Sequence, residues 1–281
     1  MKKLKLITFI AFFLGFRSLV FPQEGNKYLH NFTPFDYNAS DQNWSSVQDK
    51  NGFIYVANLN GVLVYNGKHW KTVRLPEEVN VFSLDIDDEN TVYVGGENEF
   101  GYINKKNNGE FEYVSISKNL KDKDKEFTKT WATFCINDNV FFCCNEKIFR
   151  FNNNALSVFL PENDRFHTFF KINNNLFVRE FGVGFKVFEN NDLKFVLGSE
   201  IFSDLKIYSI IHRSGTSYNL FSRNGGVFQM LLNETHPSQS SFKKKSHGET
   251  LEKIRQAEKI TNCTVGIMLK LRFFNIFLNI G

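Results

Sequence analysis

One self-similarity constrains the fold of this chain more than anything else in it. The stretch from Trp44 to Val73 returns, with the same order of short apolar runs and turns, about every forty residues. The first copy contains "NGFIYVANLNGVLVYNGKHW", Asn51 to Trp70, preceded by "WSSVQDK", Trp44 to Lys50. Gly- and Asn-marked turns separate four runs expected as strands: Ser45–Gln48, Phe53–Ala57, Val62–Tyr65 and His69–Val73. Further copies run from Phe82 to Ile116, Trp131 to Leu160 and His167 to Gly198. A fifth begins at Tyr208 and is legible to Met230, after its third strand. The steps between starts are 38, 49, 36 and 41 residues. The longest step holds "KNLKDKDKEFTK", a charged insertion expected as a solvated loop.

Four short strands per unit of about forty residues is the signature of a β-propeller blade. A lone four-stranded sheet leaves one face in water, and stacking sheets around an axis buries both, so the unit has to recur. A β-sandwich would space its strands regularly without repeating a four-strand order, and a parallel solenoid would repeat at a shorter interval. The expected fold is therefore all-β, a propeller of four-stranded antiparallel blades. It is expected to be incomplete, at about four and a half blades over residues 23–230, followed by an irregular or partly helical tail over 231–281. The 33 Phe residues suit half-buried strands, and the frequent Asn suits the turns between them. An open arc of blades leaves sheet faces uncovered, so the chain alone is expected to self-associate.

The net charge of +4 is unevenly distributed. Residues 1–22 carry Lys2, Lys3, Lys5 and Arg17 and no acid, and residues 231–281 carry eight basic and four acidic side chains, which leaves −4 for residues 23–230. A mildly acidic body lacks the field that neutralises phosphates, so nucleic acid is set aside as a partner of this segment. Residues 1–22 read as a signal peptide: a Lys-rich start, then an apolar run from Leu6 to Phe16 too short to span a bilayer comfortably. A buried N-terminal strand or helix is the competing reading. The expected location is outside the cytoplasm, periplasmic, with membrane association as a variant of that reading. The last run, "GIMLKLRFFNIFLNIG", is interrupted by Lys270 and Arg272 and falls short of a span. It reads either as a short anchor or as residues following a frame disruption, with the second preferred.

The first copy also resembles the two-component regulator propeller repeat of bacterial sensors. Asp49, Gly52, Ile54-Tyr55-Val56, Ala57-Asn58, Gly61-Val62 and Tyr65 stand where that repeat has its Asp, Gly, short strand, small residue, Gly-hydrophobic pair and Tyr. "VYVGGENEFGYI", Val92 to Ile103, and the opening "NFTPFDYNASDQNW", Asn31 to Trp44, are similar to the exported region of membrane-bound regulators that also carry a triple-tyrosine module. The resemblance spans roughly Asn31 to Met230 and is clearest in the first two copies. It implies an extracytoplasmic, ligand-sensing propeller, homodimeric in full-length relatives. Those relatives continue to seven or more blades and to a histidine kinase or DNA-binding output domain, so this chain resembles their N-terminal piece.

Catalytic and metal motifs do not emerge. The six His are scattered without metal-ligand spacing, and "GVGF" at Gly182–Phe185 reads as a turn or bulge within a strand pair. "DIDDEN", Asp85 to Asn90, lacks the Gly and closing Glu of a calcium loop and aligns with the "QDKNG" turn of the first copy. Cys135, Cys143 and Cys144 read as buried apolar filler, with Cys263 apart from them. No cofactor or metal site is expected, and binding is expected rather than catalysis. The candidate ligand-binding residues are Trp44, Phe82, Trp131, His167 and Tyr208, which hold equivalent places at the start of each unit. Planar faces gathered at one end of an axis would stack on a sugar or another flat small molecule, whereas packing between blades is the alternative use of large rings. A secreted propeller enzyme, a lyase or glycosidase, is the competing functional reading and would need converging carboxylates or a His–Tyr set. A protein-binding propeller is a third.

Overall fold

The computed structural model describes residues 30–245. Residues 1–22, read as a signal peptide, and the part of the tail beyond Lys245 lie outside the described residues. The chain divides at Thr33/Pro34, and every element below belongs to the second unit.

A single helical turn, α1 (Pro34–Tyr37), precedes twenty strands that form five four-stranded antiparallel sheets. The first sheet comprises β1 (Asn43–Gln48), β2 (Ile54–Asn58), β3 (Gly61–Tyr65) and β4 (Trp70–Val73). The second comprises β5 (Val81–Ile86), β6 (Val92–Gly96), β7 (Phe100–Lys105) and β8 (Phe111–Ser115). The third holds β9 (Ala132–Ile136), β10 (Asn139–Cys143), β11 (Ile148–Asn152) and β12 (Ala155–Phe159). The fourth holds β13 (Phe166–Ile172), β14 (Asn175–Glu180), β15 (Gly184–Glu189) and β16 (Asp192–Phe195). The fifth holds β17 (Ile207–Ser214), β18 (Ser217–Ser222), β19 (Val227–Leu231) and β20 (Ser241–Lys244). Within each sheet the strands neighbour one another in chain order, the meander of a propeller blade.

Four apolar wedges separate the five sheets, and strand alternation fills them. In β10, Val140 and Phe142 point back into the wedge with the second sheet, beside Phe100 and Phe149, while Phe141 and Cys143 point forward to Phe166, Leu176 and Val178 of the fourth. Tyr55, Val62 and Val64 meet Leu84, Val92 and Val94 between the first and second sheets. Phe177, Phe185 and Val187 meet Tyr218, Leu220 and Phe228 between the fourth and fifth. The first strands succeed one another side by side, β1 by β5, β5 by β9, β9 by β13 and β13 by β17, as strands nearest a common axis do.

Turn chemistry accounts for the Asn content. Asn153-Asn154 and Asn190-Asn191 both take positive φ in two-residue hairpin turns, the conformation for which Asn is second only to Gly. Asp49 caps its turn by accepting hydrogen bonds from Asn51 N (2.9 Å) and Phe53 N (2.8 Å), with Gly52 at φ 85°. Asp87 does the same for Thr91 N (2.7 Å), with Asn90 at φ 75° in the place of Gly52. "DIDDEN" is thus the second sheet's version of the first sheet's turn, as its alignment indicates.

Two expectations need correction. The fifth sheet is complete: β20 pairs with β19 through Met230↔Phe242 and its neighbours, so the sheet region reaches Lys244 rather than stopping at 230 after three strands. The strand escapes notice because a long link with a 3-10 turn, Pro237–Gln239, replaces the usual tight hairpin. Its one large apolar residue is Phe242, packed 5.0 Å from Phe202 and 6.0 Å from Phe185. The charged insertion after β8 is also more than a solvated loop. Its charged residues are exposed or nearly so, but Leu120 and Phe127 are buried and close the wedge over Phe100 and Phe149.

Candidate functional site

Four of the five first strands begin with the same irregularity. In β5, Val81 pairs with Gly96 and Ser83 with Gly95, so Phe82 has no partner and forms a β-bulge. Trp44 lies between Asn43↔Asn58 and Ser45↔Ala57, His167 between Phe166↔Glu180 and Thr168↔Arg179, and Tyr208 between Ile207↔Ser222 and Ser209↔Phe221. Trp131 holds the matching place just before β9, its N–H donating to the Cys143 carbonyl at 3.0 Å. A bulge re-aims one side chain without disturbing its neighbours, so four sheets present a ring from a bulge and the third presents Trp131 from the residue before its first strand.

The structure brings these five into two groups. Trp44, Phe82 and Trp131 form a triangle with centroid separations of 5.5, 5.4 and 6.0 Å, a spacing at which tilted and edge-to-face rings attract. His167 and Tyr208 form an edge-to-face pair at 5.5 Å. Among the described residues, no ring contact joins the triangle to the pair. Burial separates their roles. Phe82 is 5% exposed and belongs to the packing between sheets, whereas Trp44 (36%), Trp131 (39%) and Tyr208 (39%) keep surface in water.

Polar groups orient the exposed rings. Trp131 Nε1 donates to Asn145 Oδ1 (2.8 Å), and Asn145 Nδ2 donates to the Phe166 carbonyl (2.7 Å), which ties the third sheet's ring to the fourth sheet's first strand. Lys129 Nζ lies 5.0 Å from the Phe82 centroid and 5.3 Å from that of Trp131, a cation–π arrangement that makes this end of the strands both aromatic and basic. His167 is held neutral near pH 7. Burial, then the nearby charges of Arg179, Lys206 and Arg165, push its pKa down to about 4. Its buried Nδ1 has no hydrogen-bond partner among the described residues.

Behind this pair lies a set of buried charges that sequence reasoning missed. Arg179, fully buried, donates from Nε to the Phe202 carbonyl (2.9 Å) and from Nη2 to that of Ser203. Lys186, 2% exposed, lies between Glu180 (2.8 Å) and Glu162 (2.9 Å), and Glu180 Oε1 also accepts from Asn163 N (2.8 Å). In the second sheet, Glu99 Oε1 accepts hydrogen bonds from Tyr113 (2.9 Å), Ser115 (2.8 Å) and Ser117. Burial first, then the Glu99 charge, drives the Tyr113 hydroxyl far above its ordinary pKa. A carboxylate so occupied ties down the outer strand. In sequence, these residues look like ordinary polar members of alternating strands.

Cys135, Cys143 and Cys144 are free thiols, all buried, as the reading of them as core filler has it. Gly182 sits in the tight turn between β14 and β15 at φ 76°. Among the described residues no cluster of three or more His, Cys, Asp or Glu has metal-ligating geometry, and no helix is long and apolar enough to cross a membrane.

Neither a protein-family model nor a curated protein matches this sequence. Solved structures do match in fold. One is the extracellular domain of a protein described as a hybrid two-component system from B. thetaiotaomicron: TM-score 0.51, 16% identity, covering 72% of this chain and 27% of that one. This chain therefore spans little more than a quarter of that domain. Streptogramin B lyase matches with TM-score 0.50 and 11% identity over 72% of this chain and 68% of its own. A catalytically inactive virginiamycin B lyase from Staphylococcus aureus, solved with quinupristin, matches with TM-score 0.50 and 13% identity over 68% and 66%. At these identities the likeness is one of fold, and it agrees with an all-β chain of five four-stranded sheets laid out as a β-propeller.

Proposed function

We propose that this chain is the ligand-sensing propeller segment of an exported signalling protein, that it binds rather than catalyses, and that the aromatic end of its first strands is the binding surface. The observation that carries this reading is that Trp44 and Tyr208, at bulges, and Trp131, at the matching place just before β9, stand at equivalent positions and each keep more than a third of their surface in water. Rings of this kind stack on the apolar faces of sugars, while Asn145 and Lys129 offer hydrogen bonds and charge alongside. The fold is shared by an extracellular sensor domain and by lyases alike, and it is the resemblance of Asp49–Tyr65 to the regulator propeller repeat that favours a sensory role.

The proposed mechanism follows from where the rings sit. A ligand that touches Trp44 and Trp131 spans the first three sheets, and it stabilises whichever packing of those sheets presents the rings together. The test is a titration of the full chain with a panel of neutral and acidic oligosaccharides, followed by tryptophan fluorescence and calorimetry. Saturable quenching that Trp131→Ala weakens at least about tenfold, the scale of one lost stacking contact, supports the reading. Binding that Trp131→Ala and Trp44→Ala leave unchanged, or no binding across the panel, overturns it.

A further inference from the structure

At the other end of the same strands, the hairpins of three sheets enclose a groove of about 330 Å³. It takes residues from the β9–β10, β13–β14 and β15–β16 turns and from the link before β20. Its volume lies at the small end of the range for ligand sites, enough for about one sugar ring. None of its chemistry resembles that of the aromatic end.

Three features define what fits. Asn137, Asn174, Asn175 and Asn190 line the groove, and none of their side-chain amides hydrogen-bonds within the described residues. Each amide offers two donors and an acceptor, the mixed set that hydroxyl groups satisfy. The floor is apolar: Phe141 is buried with Phe188 edge-on at 4.8 Å. Glu189 faces the groove with its side chain only 13% exposed, and its carboxylate accepts no hydrogen bond among the described residues. The nearest basic group to it, His236 Nδ1, is 3.9 Å away and mostly exposed. Glu234, on the rim, adds a second negative charge.

Four amides and a carboxylate that make no hydrogen bond among the described residues converge on one recess, so a ligand there would meet unspent donors and acceptors over an apolar floor. We propose that this groove is a second binding site and that its ligand is a small polyhydroxylated molecule bearing a protonated amine, an amino-sugar unit being the simplest example. The amine pairs with Glu189 and Glu234, the hydroxyls bond the four amides, and the less polar ring face rests on the Phe188 side of the floor. Anionic sugars are disfavoured by the two carboxylates. The site is independent of the aromatic cluster and stands or falls separately from it.

The test is a titration of the full chain with glucosamine, glucose, ethanolamine and glucuronic acid, followed by the side-chain amide signals in nitrogen–proton NMR. The expected result is saturable shifts of the Asn137, Asn174, Asn175 and Asn190 amides with glucosamine, at a Kd of about 1 mM or tighter. Glucose and ethanolamine, each lacking half of the recognised chemistry, bind about tenfold more weakly, and glucuronic acid binds least. Glu189→Gln removes the preference of glucosamine over glucose, a change of about tenfold for the loss of one charge-assisted bond. Asn174→Ala, at an exposed hairpin tip, weakens both sugars about threefold and serves if Glu189→Gln melts early. Neither variant changes the fluorescence titration at the aromatic end. Amide shifts absent at millimolar glucosamine, or glucose, ethanolamine or glucuronic acid binding as tightly as glucosamine, overturns the proposal.

Discussion

The buried Lys186–Glu180 pair gives the sharpest test of how the fourth sheet is held. Lys186 is 2% exposed and Glu180 0%, with 2.8 Å between Nζ and Oε2. Lys186→Met keeps much of the side chain's length and volume but removes the charge. Glu162, the other partner, is 71% exposed and regains its solvation from water, so its loss costs little. Glu180 has no such recourse: it keeps one donor, Asn163 N–H at 2.8 Å, and a full buried charge. Breaking a buried pair from one side costs about 3–5 kcal/mol. In a protein of this size each kcal/mol moves the thermal midpoint by about 2–4 °C, so Lys186→Met lowers it by roughly 10 °C. The double variant Lys186→Met/Glu180→Gln removes the stranded charge while Gln still accepts the Asn163 N–H, and it recovers more than half of that loss. Circular dichroism melts of the parent, both single variants and the double variant complete the cycle. A single variant within about 1 kcal/mol of the parent, or a double variant whose loss equals the sum of the two singles, refutes the assignment of the cost to an uncompensated Glu180.

Two further outcomes follow from burial. His167 has its pKa lowered to about 4 from an ordinary 6.5, so the unfolded chain takes up its proton first as pH falls. The stability that this neutral ring contributes is complete above about pH 6.5 and is lost progressively towards pH 4. Thermal midpoints measured from pH 7 to pH 4.5 therefore fall more steeply in the parent than in His167→Gln, and parallel curves would refute the shift. The buried thiols respond to burial in the opposite direction: Cys144 is pushed up to about 12, and Cys143 and Cys135 are also raised. In a Cys263→Ser background, a colorimetric disulfide reagent at pH 8 finds no thiol in the native chain and three after denaturation; a rapidly reacting native thiol would refute their burial.

What was legible in the sequence was whatever depends on neighbours along the chain. The Asp49–Gly52 turn and its echo at Asp87–Asn90 set hairpins through local hydrogen bonds, and the expected strands Ser45–Gln48 and Val62–Tyr65 lie within the observed β1 and β3. The equivalence of Trp44, Phe82, Trp131, His167 and Tyr208 was legible for the same reason, since a repeat conserves position. That four of these positions are bulges was not, because a bulge is a property of register against a second strand. The pair Arg179-Glu180 in "LFVREFGVGF" looked like the polar end of a strand; its burial depends on Phe202, Ser203 and Lys186, all several residues or more away. The fourth strand of the last sheet failed for a third reason. Phe242 is its only large apolar residue, and one residue cannot show a period.

The same distinction explains why the two ends of the strands differ chemically. Leading ends meet the connection from the previous sheet, so their side chains fill a wedge between sheets, and large rings are the residues that fill wedges. A ring becomes available to a ligand only where the wedge is already occupied, as when Phe82 is buried between an exposed Trp44 and Trp131. Trailing ends are hairpin tips, where positive φ selects Asn at Asn137, Asn173, Asn190 and Asn191 for backbone reasons alone. Each such Asn brings an amide that its own turn does not always consume. When tips from adjacent sheets converge, as around Glu189, residues chosen for turning the chain amount to a polar recess. A repeat fold therefore produces an aromatic end and an amide-rich end as consequences of how it closes wedges and turns, and selection for ligands acts on surfaces the architecture has already differentiated.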